Sequence, residues 1–196
     1  MPKTGLTSEA LREKALCITE DKIRKFGFEK FYLTDIAREL KVSHAALYNH
    51  FPDKAALLDA ISERWLNHID DCLARVAAKK DSPLKVIQLW FQKYHALKLE
   101  KVLKDIELFK CFNASLEIVK PYVVRHLQVV HGQLSGLIRR AIASGELRKV
   151  TPEKMADLLL EATMSFHHPK MVLERRDEKR TKQLADLVAV LLAGLK

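Results

Sequence analysis

Between Thr34 and Phe51 the chain divides its residues between two tasks. Ile36, Ala37 and Leu40 are spaced as one face of a short helix, and Lys41-Val42-Ser43 reads as a tight turn. His44 to His50 forms a second short helix, which Pro52 stops. Two short helices joined by a tight turn and followed by a long helix make a helix-turn-helix pattern. Ala37 must be small, because the helices cross closely there, and Val42 plugs the turn. Leu47 and Phe51 anchor the second helix from behind. Tyr48, Asn49 and His50 then sit on a polar edge that can meet the wall of a groove and its phosphates. Their chemistry is hydrogen bonding, not bond breaking.

Elsewhere the residues point away from catalysis. There is no Gly-rich phosphate loop, no G-x-S-x-G and no paired-carboxylate motif, so neither an enzyme nor a cofactor is expected. His95, His131, His167 and His168, with Glu161, lack H-x-x-x-H or H-E-x-x-H spacing, so no metal site is expected. Cys17, Cys72 and Cys111 are odd in number, far apart and without a C-x-x-C pair. They read as reduced core residues of a cytosolic protein. Trp65, Trp90, Phe91, Tyr94, Phe109, Phe112, Met155, Met164 and Phe166 could line a pocket for a small apolar or amphipathic ligand. Plain core packing is the competing reading for each.

The elements that must hold these residues are helical throughout. Apolar positions recur with helical period along almost the whole chain, and no strand-like alternation lasts more than a few residues. A first helix is predicted over Glu9 to Lys25, capped by Thr7 or Ser8, with Leu11, Ala15, Ile18, Ile23 and Phe26 inward and Gly27 ending it. Asp53 caps a long helix reaching about Lys80. Further helices are predicted from Pro83 to about Lys101, from Asp105 to about Phe112, from Pro121 to Ser144 and from Pro152 to His167. Thr151-Pro152-Glu153 reads as cap, first-turn proline and acid for the fourth of these, and Pro169 kinks or ends it. The last helix runs from about Glu178 to Leu195, and Glu174 to Arg180 reads as a solvated connector.

The 196 residues carry a net charge of +9, which favours a polyanionic partner only weakly. Residues 1–56 hold ten Lys/Arg and eight Asp/Glu, so the excess lies downstream of the corner. Hydrophobic residues at 48% and charged residues at 30% exclude a disordered chain. The longest apolar run, Leu187 to Leu195, falls short of the ~20 residues that cross a bilayer. No signal segment and no membrane partner are expected.

Gly27-Phe28, Asp35-Ile-Ala-Arg-Glu-Leu-Lys-Val-Ser43 and Ala46-Leu-Tyr-Asn-His-Phe-Pro-Asp-Lys-Ala-Ala-Leu-Leu58 together resemble the TetR/AcrR family of bacterial transcriptional repressors. The resemblance covers roughly residues 8–58, and its strength lies in the order and spacing of the combined pattern. It implies an all-α fold with an N-terminal three-helix helix-turn-helix DNA-binding domain (1–53) and a larger helical ligand-binding and dimerisation domain (54–196). It also implies a cytoplasmic homodimer joined through the last two helices, bound to double-stranded DNA at a palindrome and released by a ligand. The adaptor reading, in which the head marks DNA and the body recruits a protein, is the alternative.

Carried over residue by residue, the resemblance puts His44 and Ala45 at the groove-facing start of the recognition helix, with Ala46 beside them. Alanine offers only apolar contact, so hydrogen-bonded base choice would rest on His44 and Asn49. Tyr48, His50 and Lys54 match positions that meet phosphate, and Thr34 matches a contact on the supporting helix. Ser43 is a candidate cap. One position departs from the family. Tyr32 stands where a Ser or Thr cap is usual, so either Thr34 caps a later start or Tyr32 takes a phosphate role. With only Lys3 before Arg12, the N-terminal arm is not expected to enter a minor groove.

Overall fold

Thr7 opens the first helix, its Oγ1 accepting the Ala10 N–H at 3.2 Å. In the computed structural model described here, residues 7–27, 29–114 and 120–195 are described, with the side chains of 111–114 set aside. Lys3, Phe28 and the side chains of Cys111 and Phe112 therefore lie outside the described residues. Helix α1 spans Ser8–Phe26. Gly27 ends it at φ +85°, a conformation that favours glycine, and gives its N–H to the Ile23 carbonyl at 2.8 Å. Leu11, Ala15 and Ile23 are buried as expected. Phe26 is not. It is half exposed beneath the Lys25 ammonium, because the final turn carries it past the packed core.

Helix α2 is Leu33–Leu40, with Leu33, Ile36, Ala37 and Leu40 buried. Tyr32 occupies the cap position without a side-chain bond, and Thr34 lies inside the first turn, so Thr34 caps nothing. Lys41, at φ +57°, turns the chain, and the Val42 N–H closes onto the Ala37 carbonyl at 3.1 Å. Ser43 caps α3, its Oγ accepting the Ala46 N–H at 3.2 Å. Helix α3 is His44–Tyr48, shorter than predicted. Asn49 and His50 form a turn ahead of Phe51, where the approaching Pro52 disfavours helix.

Asp53 caps α4, its Oδ1 accepting the Ala56 N–H at 2.7 Å, and α4 runs over Lys54–Ala77. The head core gathers Leu16, Ile23, Ile36, Leu47, Phe51 and Leu57, all within 1% of complete burial. Arg64 of α4 ties back to α1 through Glu13 and Glu20, each at 2.8 Å. Cys17, expected in the core, is exposed, with its sulfur 3.7 Å from an Arg64 nitrogen, whereas Cys72 is buried.

Helix α5 is Pro83–Lys104, α6 Ile106–Ala114 and α7 Pro121–Ala143. Helix α8 is Pro152–Ala162, with proline in its first turn as expected but no side-chain bond from Thr151. It stops well short of His167. The buried Thr163 turns its hydroxyl back onto the Leu159 carbonyl at 2.7 Å, and a 3-10 turn follows over Met164–Phe166. Pro169 then starts a helix instead of ending one. This is α9, Pro169–Glu174, and α10 follows at Thr181–Ala193. The connector between them is less solvated than its charge suggests. Arg180 is buried, 4.0 Å from the Phe166 ring centroid, and donates to the Ser165 carbonyl at 2.8 Å.

Among the described residues there is no strand, and the chain is all-α. None of its helices is long and apolar enough to cross a membrane. The chain divides into two compact units. One holds the described residues up to 65 together with 105–114, and the other holds 66–104 and 120–195. In the second unit α7 packs on α5 and α8, and α9 and α10 pack on α5.

Candidate functional site

In the first unit the back of α3 is fastened by one side chain, Leu47, which is fully buried. Its front is open. His44, Ala45, Tyr48 and Asn49 are exposed, as are Ser43 and Thr34, while His50 and Lys54 are half-buried. His44 and Tyr48 lie one helical turn apart, and their rings meet at 4.3 Å.

A shallow cleft of about 310 Å³ runs along this front. Thr34, His44, Tyr48 and Lys54 all line it, together with Tyr32 and Asp53. Four of the eight predicted contact residues thus share one concave surface. Ala45 and Asn49 stand exposed beside it on the same short element, and His50 packs against Phe51. Lys54 is already engaged. Its ammonium donates to the Glu29 carbonyl at 2.9 Å and stands 4.4 Å from the Phe31 ring centroid. Tyr32 is 69% exposed, which leaves its hydroxyl available to an incoming acceptor. The surface offers hydroxyls, an imidazole and the N-terminal end of α4, whose dipole favours an anionic backbone, beside the capping Asp53 carboxylate.

The aromatic residues separate into two groups. Trp65 and Phe109 meet edge-on at 5.8 Å in the first unit. In the second, Trp90 lies edge-on to Phe91 at 5.2 Å and 5.5 Å from Tyr94, all three buried. Tyr94 and Met164 reach a cleft of about 270 Å³, walled also by Leu127, Val130, Leu160, His167, Asp157 and Glu161. Phe166 is buried and Met155 half-buried.

Behind this cleft is a polar chain that the sequence reading did not anticipate. The Tyr94 hydroxyl meets His126 Nε2 at 3.2 Å, and His126 Nδ1 meets the Asp70 carboxylate at 2.6 Å. Burial pushes the His126 imidazole below its ordinary range, against the pull of Asp70. A neutral ring donating from Nδ1 to Asp70 leaves Nε2 to accept the tyrosine proton. Burial, with the charge of Asp70, also raises the Tyr94 hydroxyl above the ordinary phenol range. The Lys98 ammonium, 5.4 Å from the Tyr94 ring centroid, is pushed down to about 7 by burial. His167 stacks on Tyr94 at 5.0 Å and bonds the Leu160 carbonyl through Nε2 at 3.1 Å. Burial takes its imidazole down to about 4. His95 bonds the Phe166 carbonyl at 2.8 Å, and His131 lies 3.1 Å from Asp157. Among the described residues no three His, Cys, Asp or Glu side chains form a cluster able to hold a metal ion. These partners lie on different helices, which is why no short motif announced them.

Two family models match the chain. One is described as bacterial regulatory proteins, tetR family, over residues 21–61. The other is described as a tetracyclin repressor-like C-terminal domain, over residues 83–188. Among solved structures, a TetR-family transcriptional regulator from Pectobacterium atrosepticum is 22% identical with a TM-score of 0.68, covering 96% of this chain and 93% of its own. The transcriptional regulator FadR from Bacillus subtilis, in complex with stearoyl-CoA, is 14% identical with a TM-score of 0.68, covering 94% and 99%. The SmeT–triclosan complex is 22% identical with a TM-score of 0.64, covering 95% and 92%. At these identities the likeness is one of fold.

Proposed function

The chain belongs to the tetR family of bacterial regulatory proteins, and on that premise we propose that it is a dimeric repressor released from a palindromic DNA site by a small molecule. It is a transcription regulator and not an enzyme. The observation that carries the reading is the corner itself, in which α3 is buried through Leu47 and open along His44, Ala45, Tyr48 and Asn49. On this reading residues 1–53 supply the DNA contact and residues 54–196 the regulatory and dimerising body, working in the cytoplasm where the DNA is.

His44 and Asn49 read base edges, Ala45 offers a methyl contact, and Tyr48, His50, Lys54 and Thr34 position the backbone. Ser43 acts indirectly, by holding the first turn of α3. Two copies related by a two-fold axis place two such helices about 35 Å apart, one turn of duplex. Leu158 on α8 and Val190 on α10 are 53% and 70% exposed, which supports pairing of those helices across the two-fold. The acyl-CoA and triclosan held by the two relatives support a small apolar or amphipathic ligand for the body.

Selection of duplexes from a random pool tests the reading, and failure to enrich a two-fold sequence would sink it. Two variants then assign roles. His44→Ala is expected to lose about 1–3 kcal/mol on the selected site and little on random DNA. Equal loss on both, by fluorescence anisotropy, would remove His44 from base reading. Lys54→Ala is expected to weaken both duplexes alike and to reduce the slope of log affinity against log salt by about 1. An unchanged slope would mean that its bond to the Glu29 carbonyl persists on DNA.

A further inference from the structure

The cleft of the second unit has polar groups of only one kind. Tyr94 donates its single proton to His126, because His126 already donates from Nδ1 to Asp70. His167 must donate from Nε2, since the Leu160 carbonyl can only accept, and its Nδ1 is left with a bare lone pair. Asp157 and Glu161 contribute carboxylates. Positions 157, 160 and 161 share a face of α8, so both acids border the same cleft as Leu160. No lysine or arginine lines it among the described residues. Asp157 is met by His131, but Glu161 has no ion-pair partner among the described residues. The remaining wall, Leu127, Val130, Leu160 and Met164, is apolar. A carboxylic acid entering here would meet lone pairs and carboxylates along the wall, since the buried Lys98 amine, 5.4 Å from the Tyr94 ring centroid and pushed down to about 7 by burial, does not line it. A donor would find every polar partner already oriented.

We propose that the cleft takes an apolar organic cation bearing N–H donors, an alkylammonium, arylammonium or amidinium, with its charged head at Glu161 and its body along Leu127, Val130 and Met164. This rests on the reading of the body as a ligand-binding domain and supplies the chemical class of its ligand. Charge sets the preference, since the same apolar wall would accept an alcohol or an acid of equal length. The class also differs from the acyl-CoA that the Bacillus subtilis relative holds.

Octylammonium, octanol and octanoate, one chain with three heads, make the test by calorimetric titration of the full-length protein. Octylammonium is expected to bind at least tenfold more tightly than the other two. Glu161→Gln is expected to bring its affinity to within about twofold of octanol while leaving octanol unchanged. Glu161 is exposed, so the melting temperature of the variant should match that of the parent and show an intact fold. Octanoate binding as tightly as octylammonium, an undiminished preference in Glu161→Gln, or no binding of the ammonium would each overturn the proposal. Release of the selected duplex is scored separately. Octylammonium bound with the duplex still held would sink the release mechanism and keep the ligand class. Octanoate bound with the duplex freed would do the reverse.

Discussion

Leu47→Ala is expected to abolish specific DNA binding and to destabilise the first unit by about 2–5 kcal/mol. Helix α3 has five residues, His44–Tyr48, and isolated helices below ~12–15 residues are marginal in water. Its geometry is therefore imposed from outside. The Ser43 cap holds its first turn, and Leu47 is its one buried residue. Truncating that side chain leaves a void in the packing around Ile36 and Phe51 and frees the element that carries His44 and Tyr48. A loss of this size is comparable to the whole stability of a marginal domain, at about 5–15 kcal/mol. Leu47→Met, which nearly conserves volume, should cost under about 1.5 kcal/mol and keep binding. Anisotropy titration of both variants with the selected duplex is the check. Binding by Leu47→Ala at the parent's affinity would mean that something else holds the recognition element.

Trp90→Ala is expected to cost the second unit about 3–5 kcal/mol. The indole is fully buried, lies edge-on to Phe91 and donates Nε1–H to Gln133 Oε1 at 3.1 Å. Gln133 passes the connection on, its amide donating to the Asp70 carbonyl at 3.1 Å. Removing the ring therefore opens a cavity and deprives one end of a half-buried amide of its partner. Trp90→Phe separates the two effects. It retains most of the apolar volume and loses the bond, for about 1 kcal/mol. Urea unfolding followed by circular dichroism reads both. Equal midpoints for Trp90→Ala and Trp90→Phe would show that the hydrogen bond, and not the packing, dominates.

What could be read in the residues was local chemistry. Thr7, Ser43 and Asp53 cap helices because a short side-chain oxygen reaches an N–H three residues on, and the chain itself states that spacing. Gly27 and Pro121 mark ends for equally local reasons. The corner from Ile36 to Phe51 was legible because its buried and open residues alternate within one short stretch. What was hidden depended on partners far along the chain. At Thr163 the chain leaves α8 and tightens into the 3-10 turn Met164–Phe166, a change that a helix-compatible sequence does not advertise. Arg180 is buried because Phe166 and Ser165 receive it. Asp70, His126 and Tyr94 come from three helices, and nothing in the spacing of any one predicts the other two. The aromatic candidates for a pocket were mostly core. Of the acids that wall the cleft, Glu161 stood out only beside the histidines as a metal ligand, and Asp157 passed unnoticed on the polar side of α8.

The first unit is discontinuous in the chain, and that bears on its synthesis. Leu108 and Phe109 of α6 are buried with the head, and Arg24 of α1 meets Asp105 at 2.7 Å. A ribosome making this chain releases α1 to α3 first, then residues 66–104, and only then α6. At roughly 5–20 residues per second, the newborn head waits some seconds for its last wall. During that interval the nascent chain exposes apolar surface that the finished molecule keeps dry.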